Sequence, residues 1–177
     1  DYNQTKAATI AISKHIGPVY LRFGRPAVPV FTAENQDFEI GKSIKLQEGD
    51  DITIIATGHL VWEALEASEK LFNEGIKADV LNIHTIKPLD ENSIIDSAKK
   101  TNCVITAEEH NCLGGLGESV ARVLSENYPT LLKIIGTNDT FGESGKPSEL
   151  LKKYNLSSNA IFEEAKKIIK RKSLKQN

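Results

Sequence analysis

Residues 52–67 read Ile52-Thr53-Ile54-Ile55-Ala56-Thr57-Gly58-His59-Leu60-Val61-Trp62-Glu63-Ala64-Leu65-Glu66-Ala67 and run on through Gly75 to Ala78-Asp79-Val80-Leu81-Asn82-Ile83; this stretch decides the fold. Its first five residues form a short apolar run rich in β-branched side chains, as expected of a strand buried on both faces. Thr57-Gly58 follows the run. Over residues 59–73, Val61, Leu65 and Phe72 form a stripe flanked by Leu60, Ala64, Ala67 and Leu71. That period is helical, with one apolar face. Gly75 stands where a helix C-terminus takes a glycine, and residues 78–83 make a second strand.

The unit repeats downstream. Pro88 and Asp90 open a helix over residues 91–100, with Asp90 as N-cap. Residues 103–107 form a strand. A helix follows the 108–117 segment and reaches Asn127, and residues 131–135 are a further strand. Residues 148–154 and 158–170 close the chain as helices, with Ser148 and Ser157 or Ser158 as caps. Alternating strands and helices predict an α/β fold: a three-layer α/β/α domain around a mostly parallel sheet. It is expected to occupy residues 38–177.

Upstream the pattern is less regular. Residues 5–15 predict an apolar-faced helix broken at Gly17-Pro18. Residues 19–23 read as a short strand, and residues 24–29 as an irregular loop holding Gly24, Pro26 and Pro29. Residues 32–37 are a polar linker, and residues 38–46 alternate as an edge strand. Residues 1–31 are therefore expected to be the end of a preceding α/β domain. The chain holds no methionine and opens on Asp1, so we expect a piece of a longer polypeptide.

Composition narrows the function classes. The chain has 177 residues, 40% of them hydrophobic, with a net charge of −2. That is enough apolar surface for a core, and nothing in the charge calls for nucleic acid. No apolar run approaches the roughly 18 residues that span a bilayer, and no signal-peptide pattern opens the chain. Two cysteines, Cys103 and Cys112, make neither a disulfide framework nor a zinc site, and point to reduced thiols in the cytoplasm.

Candidate sites follow from the strand ends, because ligands of open parallel sheets gather at the carboxyl edge. Glu108-Glu109-His110-Asn111 is the densest polar group there. An acid/base pair is one reading; a structural or interfacial role is the other, favoured because no nucleophile lies nearby. Gly114-Gly115-Leu116-Gly117 opens a helix. It is either a tight turn or, through Gly114, Gly115 and Gly117, an anion or partner contact. It is not a dinucleotide fingerprint, which needs a third spaced glycine and a later acidic residue. Residues 142–147 have the wrong spacing for a phosphate loop. None of the four histidines has a second ligand at helical spacing, which excludes a zinc helix. The basic run at residues 166–175 reads as a solvated helix end complementing the macrodipole.

In order along the chain stand Asp1-Tyr2-Asn3-Gln4-Thr5, the stretch from Gly17 to Pro26, Ile40-Gly41-Lys42, Ile54 to Gly58, His84 to Asp90, Ala107 to Asn111, Gly114 to Gly117 and Phe141 to Gly145. Together they resemble the C-terminal region of the transketolase family, and most closely its short, split members. The resemblance implies two-carbon ketol transfer between sugar phosphates, using thiamine diphosphate and a divalent metal such as Mg. It implies that residues 1–31 end a pyrimidine-binding domain. The metal motif and the cofactor-activating carboxylate would lie upstream of Asp1, so neither cofactor is expected on this segment and no catalytic residue within it. Arg25 matches the arginine that grips the substrate phosphate, with Arg22 as its structural neighbour. His110 and the glycine turn would be interface or scaffold elements of a dimer, formed with the upstream domains or a separate N-terminal subunit. The nearest rivals are deoxyxylulose-phosphate synthase and the β subunit of a 2-oxo-acid dehydrogenase. A free-standing anion-binding interaction module is the rival from another class.

Overall fold

The structure is a computed structural model and describes residues 1–176. Along the chain it runs α1 (Tyr2–Ile12), β1 (Ile44–Gln47), β2 (Ile52–Ala56), α2 (Leu60–Asn73), β3 (Ala78–Asn82), α3 (Glu91–Thr101), β4 (Cys103–Asn111), α4 (Leu116–Asn127), β5 (Leu131–Thr137), α5 (Pro147–Lys153) and α6 (Ser158–Gln176). One five-stranded sheet has the order β1-β3-β2-β4-β5. Strands β2 to β5 pair in parallel and β1 lies antiparallel on β3 at the edge.

Successive residues of a strand point to opposite faces, and both faces are covered. Ile52, Ile54, Ala56, Val80 and Ile105 pack with α2 and α6 through Leu60, Ala64, Leu71, Ile161, Ala165 and Ile168. Ile55, Leu81 and Val104 pack with α3 and α4 through Ile94, Ala98, Leu116, Val120 and Val123. This is the predicted three-layer α/β/α arrangement. Each fully buried Leu or Ile contributes about 1.5–3 kcal/mol of apolar burial.

The helix ends follow the expected chemistry at two places. At α2, Gly75 takes φ +81°; its N–H donates to Phe72 O, and that of Ile76 to Leu71 O. At α3, the Asp90 carboxylate accepts from Ser93 N.

Other expectations are corrected. The helix predicted over residues 5–15 spans Tyr2–Ile12, because the Asp1 carboxylate caps it by accepting from Gln4 N. Residues 19–23 do not form a strand, and Tyr20 is 88% exposed. Of residues 38–46 only Ile44 onward pairs. β4 and β5 run further than predicted, to Asn111 and Thr137, so His110 lies within a strand rather than past its end. Ser148 does not cap α5, which starts on Pro147 after Lys146. The first N–H of α6, that of Ser158, is capped from another helix by Glu63, while Ser157 O accepts from Ile161 N.

At the amino edge of the sheet, the fully buried Asp79 collects its neighbours. Lys100 Nζ lies 2.7 Å from its carboxylate and Lys45 Nζ 3.5 Å. Gly49 N and the Ser97 hydroxyl also donate to it. Burial alone would push Asp79 up, but Lys100, Ser97, Gly49 and Lys45 outweigh it and hold the carboxyl below its ordinary value. From the basic run, Lys172 donates to the backbone carbonyls of Asp51 and Thr101, so it ties α6 to this edge. Lys166 and Lys167 pair with Glu74 and Glu164.

Candidate functional site at the carboxyl edge

The connection from β2 through α2 leads to β3 on one side, and α3 returns the chain past β2 to β4 on the other. The carboxyl ends of β2 and β4 therefore flank the topological switch point, where this class of sheet opens a crevice. The segment between α1 and β1 crosses this edge as an arm. Gly24 meets His59, Phe31 lies 6.0 Å from Trp62 between ring centroids, and Phe38 stacks on His84 at 4.1 Å. Closer to β1, Ser43 N and Oγ donate to Asp90. The arm is also tied to α1: the Asp1 carboxylate accepts from Phe31 N, Thr32 N and the Thr32 hydroxyl, and Thr32, placed in the linker, is buried.

Arg25 and Arg22 lie on the arm and are exposed. None of the ion pairs among the described residues involves either one. The Arg25 guanidinium, a planar fork suited to phosphate, is thus uncommitted among the described residues. Its neighbour Gly24 sits against the His59 ring. His59 precedes α2, and its Nδ1 lies 3.2 Å from Glu109 of β4.

Strand β4 distributes Glu108, Glu109, His110 and Asn111 to different tasks. Glu108 is buried, and its two oxygens accept from Leu116 N and Gly117 N at 2.8 Å each. The anion at the N-terminus of α4 is therefore the chain's own carboxylate. Gly114 N donates to Glu118. The amides of Gly114, Leu116 and Gly117 are engaged internally; Gly114 turns the chain at φ +76°, while Gly115 and Gly117 serve close packing. A Cβ on Gly115 would lie 2.5 Å from the Glu108 carboxylate oxygens, and one on Gly117 2.5 Å from Ile134. His110 is exposed; its Nδ1 pairs with Asn111 O, and Asn111 Nδ2 donates to Asp139. His110 and Glu109 share no hydrogen bond or ion pair among the described residues, and Glu109 turns to His59.

His84, past β3, is neutral at pH 7. Burial pushes its imidazole down to about 4, against the pull of the Asp90 carboxylate. Its Nδ1 meets the Thr85 hydroxyl at 2.9 Å, while Nε2 is buried with no partner among the described residues. Nearby, Asn82 Nδ2 donates to Gln4 Oε1, fastening α1 to the sheet, while Asn82 Oδ1 and Gln4 Nε2 have no partner among the described residues.

The shift of His84 fixes a pH dependence. The unfolded chain takes up a proton near the ordinary value of 6.5, the folded chain only near 4. This contribution is therefore present above 6.5 and is lost as pH falls toward 4. Asp79 and Asp90 are both lowered, so their contributions are lost only in the more acid range. Tm is expected to drop between pH 7 and pH 5. In His84→Phe that limb should flatten when followed by circular dichroism.

Among the described residues no three His, Cys, Asp or Glu side chains converge to hold a metal ion. Both cysteines are free, and burial pushes the Cys103 thiol up to about 11. No helix among the described residues is long and apolar enough to cross a membrane. Sequence reasoning named Arg25, His110 and the glycine turn. It missed the His59–Glu109 pair and the capping role of Glu108. The only local signal for the latter was an acidic residue at a strand end eight positions before the first residue of α4.

Residues 41–161 match the family described as transketolase, C-terminal domain. The 6-deoxy-6-sulfo-D-fructose transketolase subunit SqwH of Clostridium sp. (strain MSTE9) is 45% identical over 176 residues, 99% of this chain and 54% of that protein. The 1-deoxy-D-xylulose-5-phosphate synthase 1 of Geobacter sulfurreducens is 37% identical over 155 residues, covering 85% of this chain but 24% of its own length. Among solved structures, a chain titled split gene transketolase, inactive beta4 tetramer superposes with a TM-score of 0.93 at 42% identity, over 96% of this chain and 56% of that one. The chain thus spans about half the length of curated relatives it matches, such as SqwH. A five-stranded, mostly parallel sheet between helical layers, matched along nearly all its length by these proteins, makes this chain a member of the transketolase C-terminal domain family.

Proposed function

We propose that the chain is the C-terminal portion of a transketolase that moves two-carbon ketol units between sugar phosphates, and that it supports the reaction rather than carrying the reacting groups. In this reading residues 1–31 end a pyrimidine-binding domain, residues 32–37 link, and residues 38–177 form the C-terminal domain. The observation that supports it most is the uncommitted, exposed Arg25 on an arm tied across the sheet's carboxyl edge. A guanidinium held there takes the distal phosphate of a sugar in two parallel hydrogen bonds, so binding energy remote from the reacting carbon positions it. His110 and the surface of the turn at Gly114, Gly115 and Gly117 would face a partner subunit in a dimer of the complete, cytoplasmic enzyme. The likeness to a chain titled an inactive β4 tetramer supports the view that this portion is silent by itself.

Thiamine diphosphate, when bound in the complete enzyme, supplies the carbanion chemistry. In this reading Mg and the diphosphate are held by the upstream portion, in the same polypeptide or a separate N-terminal subunit. What this chain contributes is a phosphate grip and a rigid backing for it. A thermal shift with thiamine diphosphate and magnesium tests the division. The chain alone should give no change in Tm, and the chain assembled with the upstream portion should give a rise. A rise with the chain alone would refute the proposal.

A further inference from the structure

We infer that His59 and Glu109 are positioning residues for Arg25: they form a backstop across the switch-point crevice that sets where the arm places its guanidinium. The inference rests on the reading of Arg25 as a phosphate grip and deepens it.

Gly24 comes directly before Arg25, and its backbone lies on the His59 imidazole. A Cβ built at Gly24 would fall 2.2 Å from ring atoms Cε1 and Nε2. Glycine stands here for space, since Gly24 is absent from the positive-φ glycines. The ring is a firm surface. Its side chain is 16% exposed, and Nδ1 is held 3.2 Å from Glu109 Oε2. His59 itself is fixed by Gly58, which turns the chain at φ +60°, and by the first turn of α2, where Trp62 N donates to His59 O. Ring and carboxylate come from the two strands that flank the crevice: His59 follows β2, and Glu109 lies on β4. The arm has no strand ladder at residues 19–25. Close packing on His59, not sheet pairing, therefore defines the height of the Arg25 backbone. A shift of about 1 Å at such a clamp can cost up to about a hundredfold in rate when the clamp orients a substrate.

The test uses the complete enzyme and compares a phosphorylated ketose donor with the same ketose lacking its phosphate. Gly24→Ala and His59→Ala should each raise KM for the phosphorylated donor by about tenfold, an intermediate part of the range that misplacement spans. They should leave kcat/KM for the phosphate-free donor within about twofold, since the clamp has nothing there to hold. The double variant should be no worse than His59→Ala alone, because removing the ring makes room for the methyl group. Glu109→Gln, which keeps an oxygen for Nδ1–H, should retain the KM that Glu109→Ala loses. Equal losses on both donors, or no change on either beside a clear Arg25→Ala defect, would overturn the positioning role alone. If Arg25→Ala itself leaves KM for the phosphorylated donor unchanged, the phosphate reading fails and this inference falls with it.

Discussion

Glu108→Ala is expected to lower the stability of the domain by about 3 kcal/mol, the sum of two charge-assisted hydrogen bonds at the low end of their range. Both carboxylate oxygens are engaged, each accepting one N–H at the start of α4, and the group is 3% exposed. Alanine would leave Leu116 N and Gly117 N buried without acceptors, beside a hole where the carboxylate stood. It would also remove a negative charge from the positive end of the helix. Urea denaturation should show the midpoint falling with little change in slope, which marks lost stability rather than altered compactness. Glu108→Gln should retain part of the stability, because its carbonyl oxygen can still serve one amide. Gly115→Ala should reproduce much of the loss, since its methyl would land on the same carboxylate. A Glu108→Ala midpoint equal to that of the parent would show that α4 does not need this cap.

Arg25→Ala, made in the complete enzyme, is expected to raise KM for phosphorylated sugars by about ten- to a hundredfold. That corresponds to about 1.5–3 kcal/mol for losing a charge-assisted contact. The direction follows from the exposure of Arg25 and the absence of any ion pair to it among the described residues, so the loss should appear in substrate binding and not in folding. Steady-state kinetics on a phosphorylated and a phosphate-free donor separate the two, and Tm should stay where it was. Arg25→Lys should recover only part of the loss, because an ammonium cannot form the bidentate fork. An unchanged KM would remove Arg25 from the site.

The parts of this fold legible in the sequence are those written locally. The apolar run at residues 52–56 is buried at every position. Asp90 caps α3, and Gly75 closes α2 with a positive φ. Residues 19–23 misled because a β-branched and aromatic stretch forms a strand only where another strand pairs with it, and none does here. The end of β4 was missed because Glu108 to Asn111 is polar, and polar residues extend a strand when a neighbour such as β5 supplies the ladder: Asn111 stands opposite Thr137.

The site shows the same limit more sharply. Arg25 was reached through family resemblance, not through spacing. Its relation to His59 and Glu109 joins three segments far apart in sequence, and no periodicity encodes such a meeting. The glycine turn was legible as a turn, but its reason lay elsewhere. Gly115 and Gly117 are small because Glu108, Thr106 and Ile134 occupy the space that side chains would need. The positive end of α4 faces a carboxylate of the same chain, Glu108, which no regular spacing in the sequence announces.

The most direct measurement is ketol transfer followed with this polypeptide by itself and again after mixing with the upstream portion proposed to bind thiamine diphosphate, at equal protein concentration. No turnover above background is expected from the polypeptide alone, and sustained turnover from the mixture. Turnover by the polypeptide alone would contradict the proposed division between the two portions.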